Sequence, residues 1–401
     1  PYRVVIARTD GEQELKVVDV TLPPGLTGTL AGIPYCPEAA IAAAAGRSGA
    51  QERSAPSCPA ASRIGTVHTT AGTGADPVTL IGHAYLAGPY KGAPLSMVTV
   101  TPALEGPFDL GTVVVRVALH VDPRTTQITA DSDVIPDVFG GVKLDLRHIA
   151  VVIDRERFMR NATNCQPKEL TGTVAGGGAN PADPAAFSSF AATRPYRVQG
   201  CRGLGFRPRL RTVLFGPTKR AKNPRLRATL TARRGDANLS RTALTLPHSL
   251  FLDQSHIRTV CTRVQLAARQ CPSAAVYGRA TAVSPLLDKP LRGPVYLVSS
   301  DHTLPDLVAD LRGQVNVRLY GVISSKRGGL KTVFNGLPDV PVSRFVLDMR
   351  GGRRSLLVNS TNTCRRPQFA VLNIKGQNGK RVKSNRYRLN IRACAGKGKR
   401  R

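Results

Sequence analysis

The chain has 401 residues, of which 41% are hydrophobic and 21% are charged, proportions that are ordinary for a globular protein of two or three domains. No apolar run reaches the roughly 18 residues that a membrane-spanning helix needs, which argues against a transmembrane segment. The formal net charge of +31 suggests an anionic partner.

The excess of positive charge lies entirely in the second half of the chain. Residues 1–202 hold 18 Lys and Arg against 18 Asp and Glu, whereas residues 203–401 hold 39 against 8. This asymmetry suggests that one half meets the anionic partner. The alternative is a basic surface that serves only solubility.

Short alternating runs of Val, Leu, Ile and Thr between Gly, Pro and Asp turns predict an all-β protein. Tyr2–Leu26 predicts strand, turn and strand, with the turn at Asp10-Gly11. Because Pro is favoured at the first position of a helix, we expect helices after Cys36, Cys58 and Cys271, each of which is followed by Pro; the longest is Pro37–Ala45.

An internal repeat organises the chain. Tyr2–Leu26 aligns without gaps on Leu226–Leu250, and the matches continue through the Cys-Pro motifs to the Asn-rich segments before the third cysteine of each half. We therefore expect two homologous, disulfide-stapled, β-sandwich-like modules with short helices. Module 1 spans 1–202 and is neutral; module 2 spans 203–401, is strongly basic and ends in a basic tail at 395–401. Residues 2–26 and 226–250 are expected to form equivalent hairpins.

Each module contains four of the eight cysteines, in corresponding order. The spacing is too scattered for a zinc site, so a disulfide framework is favoured, and with it a secreted or cell-surface location. Because local pairing closes the shortest loops, we expect the bridges Cys36–Cys58, Cys165–Cys201, Cys261–Cys271 and Cys364–Cys394.

No catalytic motif is visible. The P-loop, G-x-S-x-G and H-E-x-x-H patterns are absent, and none of the seven His residues stands in a recognisable triad. We expect a protein that is not an enzyme and needs no cofactor or metal. A calcium site at Asp131, Asp133 and Asp137 is an alternative to a solvated acidic turn.

Basic side chains alternate along two predicted strands of module 2 and crowd its end. A cell-wall polyanion or an anionic lipid surface needs only such charge, whereas the few aromatic residues argue against specific nucleic-acid binding. The candidate polyanion-binding residues are Arg207, Arg209, Arg211, Lys380, Arg381, Lys383, Arg386, Arg388, Lys397, Lys399, Arg400 and Arg401.

Several segments resemble large, uncharacterised secreted repeat proteins of soil actinobacteria. The resemblance is strong over residues 200–394 and weaker over module 1; it rests on Cys201–Pro208, Asp253–Cys261, Gly293–Leu297, Leu304–Leu307 and Leu356–Asn362. Those proteins have no assigned function, so the resemblance implies export and a modular cell-surface architecture, and no activity.

Three functional hypotheses follow. The first is an extracellular structural or adhesive cell-surface protein, in which repeated β modules polymerise into a filament or layer. The second is a secreted binder of anionic polymers such as a cell-wall polyanion, a lipid surface or nucleic acid. The third is a hydrolase whose site is not recognisable from sequence.

A missing strand suggests how copies would join. Phe206–Gly216 alternates like a strand and precedes the repeat segment of module 2, but nothing precedes the corresponding segment of module 1. An unpaired sheet edge is a template for another strand. We therefore expect module 1 to be completed by residues upstream of Pro1 or by another subunit, joining a homo-oligomer head to tail. The alternative is an edge capped by a loop or blocked by charge.

Overall fold

The protein is described by a computed structural model over residues 1–178, 182–183, 186–326 and 329–394. Strands dominate these residues, which confirms the all-β, β-sandwich-like fold. The chain forms two compact units. Unit 1 comprises residues 1–121, 127–161 and 166–197; unit 2 comprises residues 122–126, 162–165 and those from 198 onward.

Unit 1 contains fourteen described strands, of which ten form one sheet. They are β1 Tyr2–Ala7, β2 Glu14–Thr21, β3 Thr27–Gly28, β4 Arg63–Ala71, β5 Val78–Ala87, β6 Leu95–Glu105, β7 Phe108–Val121, β8 Ile128–Ser132, β9 Val138–Phe139, β10 Val142–Lys143, β11 Leu146–Ile153, β12 Met159–Arg160, β13 Lys168–Gly177 and β14 Phe187–Tyr196.

Unit 2 contains fourteen described strands, of which twelve form one sheet. They are β15 Arg209–Phe215, β16 Arg225–Thr231, β17 Leu239–Thr245, β18 Leu250–Leu252, β19 Val276–Val283, β20 Leu291–Val298, β21 Asp306–Leu311, β22 Val317–Lys326, β23 Gly329–Asn335, β24 Arg344–Met349, β25 Leu357–Asn359, β26 Phe369–Gly376, β27 Arg381–Arg388 and β28 Asn390–Ile391.

The two large sheets have the same strand order. In unit 1 the order is β1-β11-β4-β5-β6-β7-β8-β2-β13-β14, and in unit 2 the corresponding run is β16-β24-β19-β20-β21-β22-β23-β17-β26-β27. Unit 2 continues past β16 with β15 and then β28, at the place where the sheet of unit 1 ends with β1. All neighbours are antiparallel except β15 and β28.

The prediction of hairpins at 2–26 and 226–250 is wrong, although both segments form two strands. β1 pairs with β11, whereas β2 pairs with β8 and β13 near the other end of the sheet. In unit 2, β16 pairs with β15 and β24, whereas β17 pairs with β23 and β26. The turn at Asp10-Gly11 therefore connects opposite ends of one sheet. The two segments still occupy corresponding places.

Helices are few and short: α1 Glu38–Ala45, α2 Gly49–Ser54 and α3 Arg263–Ala267. α1 lies within the predicted Pro37–Ala45. The other two Cys-Pro motifs lead into single 3₁₀ turns, Ala60–Ser62 and Ser273–Ala275. Further 3₁₀ turns are Cys201–Gly203, Gln254–His256, Gly352–Arg354 and Arg392–Cys394.

All four predicted disulfides are formed: Cys36–Cys58, Cys165–Cys201, Cys261–Cys271 and Cys364–Cys394. Bridges of this kind typically stabilise a fold by about 2–4 kcal/mol, mainly by restricting the unfolded chain. No helix within the described residues is long and apolar enough to cross a membrane.

The core of unit 2 lies on the inner faces of its curled sheet. One cluster brings residues from both ends of the strand order together, because Leu230 of β16 packs with Leu372 and Ile374 of β26. The connection from β27 to β28 shows the same curl. These strands lie at opposite ends of the strand order, yet only Leu389 separates them in sequence. The two halves of the sheet therefore face each other as in a sandwich.

Candidate polyanion-binding surface

The outer face of β15, β16, β24 and β19 carries a band of arginines. Side chains alternate between the faces of a strand, so the cross-strand pairs fix which residues share the outer face. Arg227 of β16 pairs with Asp348 of β24, which pairs with Arg279 of β19. The same alternation adds further members. We define the arginine face as Arg209, Arg211, Arg225, Arg227, Arg279, Arg344 and Arg350.

A cleft of about 460 Å³ lies at one end of the arginine face. Among the residues that line it, one is acidic, Asp348, and five are arginines: Arg225, Arg279, Arg350, Arg353 and Arg354. The last two belong to the 3₁₀ turn that follows β24. We call these five side chains the arginine cleft.

Asp348 is already engaged by two arginines. Arg225 Nε donates to Asp348 Oδ1 at 2.7 Å, and Arg227 Nη2 donates to Oδ2 at 2.6 Å. These hydrogen bonds hold two guanidinium groups in place on the sheet. The carboxylate therefore has little capacity left for the rest of the cleft.

In the described part of the chain, the other four arginines of the cleft have no acidic partner. Within the described residues, no ion pair or side-chain hydrogen bond engages Arg279, Arg350, Arg353 or Arg354. Arg350 is half-buried, and burial lowers the pKa of its guanidinium, as do the nearby charges of Arg354 and Arg279. The three others are exposed. The cleft therefore concentrates positive charge that an anionic ligand would neutralise.

Arg279 and Arg350 of the cleft have no basic counterparts in unit 1. Thr66 of β4 pairs with Val152 of β11 as Arg279 pairs with Asp348 in unit 2. Two residues after Val152, unit 1 has Asp154. Thr66 Oγ1 donates to Asp154 Oδ2 at 3.3 Å.

Asp154 thus stands at the position of Arg350, so the substitution reverses the sign of the charge. The arginine cleft is a property of unit 2 and does not come with the shared fold.

The predicted arginines of β15 lie on the arginine face. Arg209 and Arg211 are exposed and pair with Thr231 and Thr229 of β16. Arg207 precedes the strand, and its backbone N–H donates to an oxygen of Asp236 at 2.8 Å.

The predicted basic residues of β27 lie at the other end of the strand order. Arg381, Lys383, Arg386 and Arg388 are exposed, and the guanidinium of Arg386 lies 5.1 Å from the ring centre of Phe369. Lys380 precedes the strand. Its Nζ donates to the carbonyl oxygen of Leu204 at 2.6 Å, which ties it to the local fold. The four predicted residues of the tail, Lys397, Lys399, Arg400 and Arg401, lie outside the described residues.

The acidic residues considered for calcium do not converge. Asp133 accepts from Tyr90 and Lys91, and Asp137 pairs with Lys16 at 2.7 Å. No group of three or more potential metal-ligating His, Cys, Asp or Glu side chains occurs among the residues described.

Sequence reasoning missed the cleft because its members come from separate segments. Arg279 lies on β19, and Arg225 on β16, more than 50 positions earlier in the chain. The available signal was the run Arg350–Arg354, RGGRR, which replaces the mixed-charge Asp154–Arg157 of the first repeat. Comparison with models of known protein families and with curated proteins finds no match to this chain.

Proposed function

We propose that this chain is an extracellular structural or adhesive protein, without catalytic activity, that holds an anionic polymer through the arginine cleft of unit 2. The observation that carries the proposal is the set of four cleft arginines with no acidic partner in the described chain. The four disulfides support an oxidising location outside the cell.

The chemistry of the cleft favours phosphate- or sulfate-bearing polymers. Guanidinium groups are planar, stay charged at any physiological pH and bind oxyanions through paired hydrogen bonds. Arg225 is pre-positioned by Asp348, so it loses little side-chain entropy on binding. The exposed Arg353 and Arg354 can reach successive charges along an extended chain.

Replacing Arg279 and Arg350 together by Gln should weaken binding to heparin and to polyphosphate by roughly 25- to 60-fold at 0.1 M salt. Each phosphate contact makes log affinity fall more steeply with log salt concentration, by about 0.7–0.9. Because the double variant loses two contacts, its slope should be smaller by about 1.4–1.8. If the affinities are equal at 1 M salt, this difference in slope gives the stated loss at 0.1 M. Fluorescence anisotropy of the labelled polymers at several salt concentrations measures both the affinity and the slope.

The matched control removes the same amount of charge elsewhere. Arg381→Gln with Lys383→Gln changes two exposed cations of β27 that do not line the cleft, and it should weaken binding by at most about threefold, because salt screens exposed charges that do not contact the ligand. An equal loss in both double variants would mean that only net charge matters, and would refute the cleft as the site.

Assembly into a filament or layer is a second candidate function. The observation that favours it is the end strand β1 of unit 1, which pairs on one side only among the described residues. Sedimentation velocity from 1 to 100 μM is expected to give a mass that rises with concentration. A constant monomer mass over that range would contradict assembly through this edge.

A further inference from the structure

The edge of β1 differs from the same edge in unit 2. In unit 2, β15 covers β16 through seven paired residues, from Arg209 opposite Thr231 to Phe215 opposite Arg225. Within the described chain, β1 pairs with β11 alone. The two sheets otherwise share their ten-strand order, so β15, and β28 beyond it, have no counterpart among the described strands of unit 1.

β15 closes the core of unit 2. Its Thr212 and Leu214 are almost fully buried, and Leu210 packs in the cluster that joins both ends of the strand order. The hydroxyl of Tyr387 on β27 accepts from Thr212 N at 2.9 Å and donates to Leu210 O at 3.0 Å. This hydroxyl therefore links the two ends of the sheet through the backbone of β15.

Unit 1 has the matching tyrosine without that strand. Tyr196 ends β14 as Tyr387 stands near the end of β27, but its hydroxyl donates to Asn161 Oδ1 at 2.8 Å instead. The hydroxyl of Tyr2 on β1 is buried and has no hydrogen-bond partner among the described residues. Burial raises the pKa of the Tyr2 phenol to about 12, and Tyr196 adds to the rise. A buried polar group without a partner costs about 1–3 kcal/mol.

An exposed phenylalanine lies on β14, at the place that β15 covers in unit 2. Phe190 of β14 pairs with Val174 of β13, as Val382 of β27 pairs with Ile374 of β26. Val382 packs in the cluster that contains Leu210. Phe190 is 70% exposed although it shares the face of Val174, which is partly buried and packs against the core.

We propose that the β1 edge is an acceptor for an extended strand with the chemistry of β15, that is, small or branched residues facing inward at alternate positions and free backbone groups along one edge. The strand would run antiparallel to β1, with the residues equivalent to Leu214, Thr212 and Leu210 opposite Tyr2, Val4 and Ile6. Backbone hydrogen bonds would supply the affinity. Contacts of the added strand with Tyr2 and Phe190 would supply the selectivity. Such an edge would serve the second candidate function, which is assembly. A protein that stays monomeric could bind a strand there as well.

A register-specific cross-link tests the proposal. The described cysteines are all in disulfides, so Val5→Cys on the exposed side of β1 adds one reactive thiol. The probe is a synthetic peptide of residues 205–215 in which Arg211 is replaced by Cys and activated as a mixed disulfide. Position 211 of the peptide should lie opposite position 5 of the protein, so the protein thiol attacks the peptide disulfide, releases the activating group as a thiol and forms the new S–S bond. We expect this reaction to be at least about tenfold faster than with a peptide activated at position 213, which lies two residues out of register.

Two controls decide whether the edge is responsible. Ile81→Cys places a thiol at a position that is 57% exposed, against 47% for Val5, within the sheet, and it should react at the same slow rate with both peptides. A peptide with Val213→Pro removes a backbone donor on the side that faces β1, because the Thr212 N–H points to the other side, and it should lose the advantage at Val5→Cys. Equal rates for both registers, or equal rates at positions 5 and 81, would overturn the acceptor strand. Peptide capture by a protein that stays monomeric would keep this inference and refute only the assembly.

Discussion

Asp310→Asn is expected to lower the free energy of unfolding of unit 2 by about 3–5 kcal/mol, one of the largest losses from a conservative substitution in this chain. The Asp310 side chain is only 4% exposed, and it accepts from Arg318 Nε at 3.0 Å and from Arg312 Nη2 at 2.6 Å. The amide cannot neutralise these guanidinium groups, so Arg318, which is 14% exposed, would stay charged in a partly buried place. Urea unfolding followed by circular dichroism measures the loss.

The control for this substitution is Asp348→Asn. Asp348 also serves two arginines, but its partners Arg225 and Arg227 are 45% and 43% exposed, so water can solvate them after the change. Pairs exposed to this degree contribute at most about 1 kcal/mol. A loss in Asp348→Asn as large as that in Asp310→Asn would show that burial does not set the cost.

Gly293→Ala is expected to destabilise unit 2 by about 3 kcal/mol or more, because the sheet has no room for a β-carbon at this position. The added atom would lie 1.7 Å from the carbonyl oxygen and 2.7 Å from the carbonyl carbon of Asp310. Both are backbone atoms, so relief requires two strands to separate. Thermal unfolding by differential scanning calorimetry resolves the change.

The repeat offers a graded comparison. Gly82 corresponds to Gly293 in unit 1, and its β-carbon would meet the Thr101 hydroxyl at 2.2 Å and the Val100 carbonyl oxygen at 2.7 Å. Because a hydroxyl can rotate away, Gly82→Ala should cost less than Gly293→Ala. Gly203→Ala has no atom within 4 Å of the new carbon and should be close to neutral. A neutral Gly293→Ala would contradict the close approach of the two strands.

Local features of the sequence predicted much of the fold. Alternating apolar residues predict strands because burial on one face requires them, and cysteines that are neighbours in sequence pair because short loops close easily. The repeat could also be recognised, since its two copies keep glycine and apolar residues at the same positions. Each of these signals can be recognised within one short segment or by aligning two similar segments.

Strand partnership could not be predicted in the same way. Tyr2–Thr21 has the alternation and the Asp-Gly turn of a hairpin, yet its two strands bind partners more than 100 residues away in sequence. The choice depends on the total area that the curled sheet buries, which no local pattern records. The arginine cleft was missed for the same reason, because Arg279 and Arg350 become neighbours only when β19 pairs with β24.

The disulfides near the end of each repeat also determine how the chain would carry a mechanical load. Cys165–Cys201 and Cys364–Cys394 close segments with sequence separations of 36 and 30 residues, and these segments contain β13 with β14 and β26 with β27. A pulling force along the backbone passes through the covalent bridge and bypasses those strand pairs. Since an extended residue spans about 3.4 Å, each bridge withholds roughly 100–120 Å of chain from extension. In a stretched molecule, these two segments would thus remain unextended after the rest of each sheet had come apart.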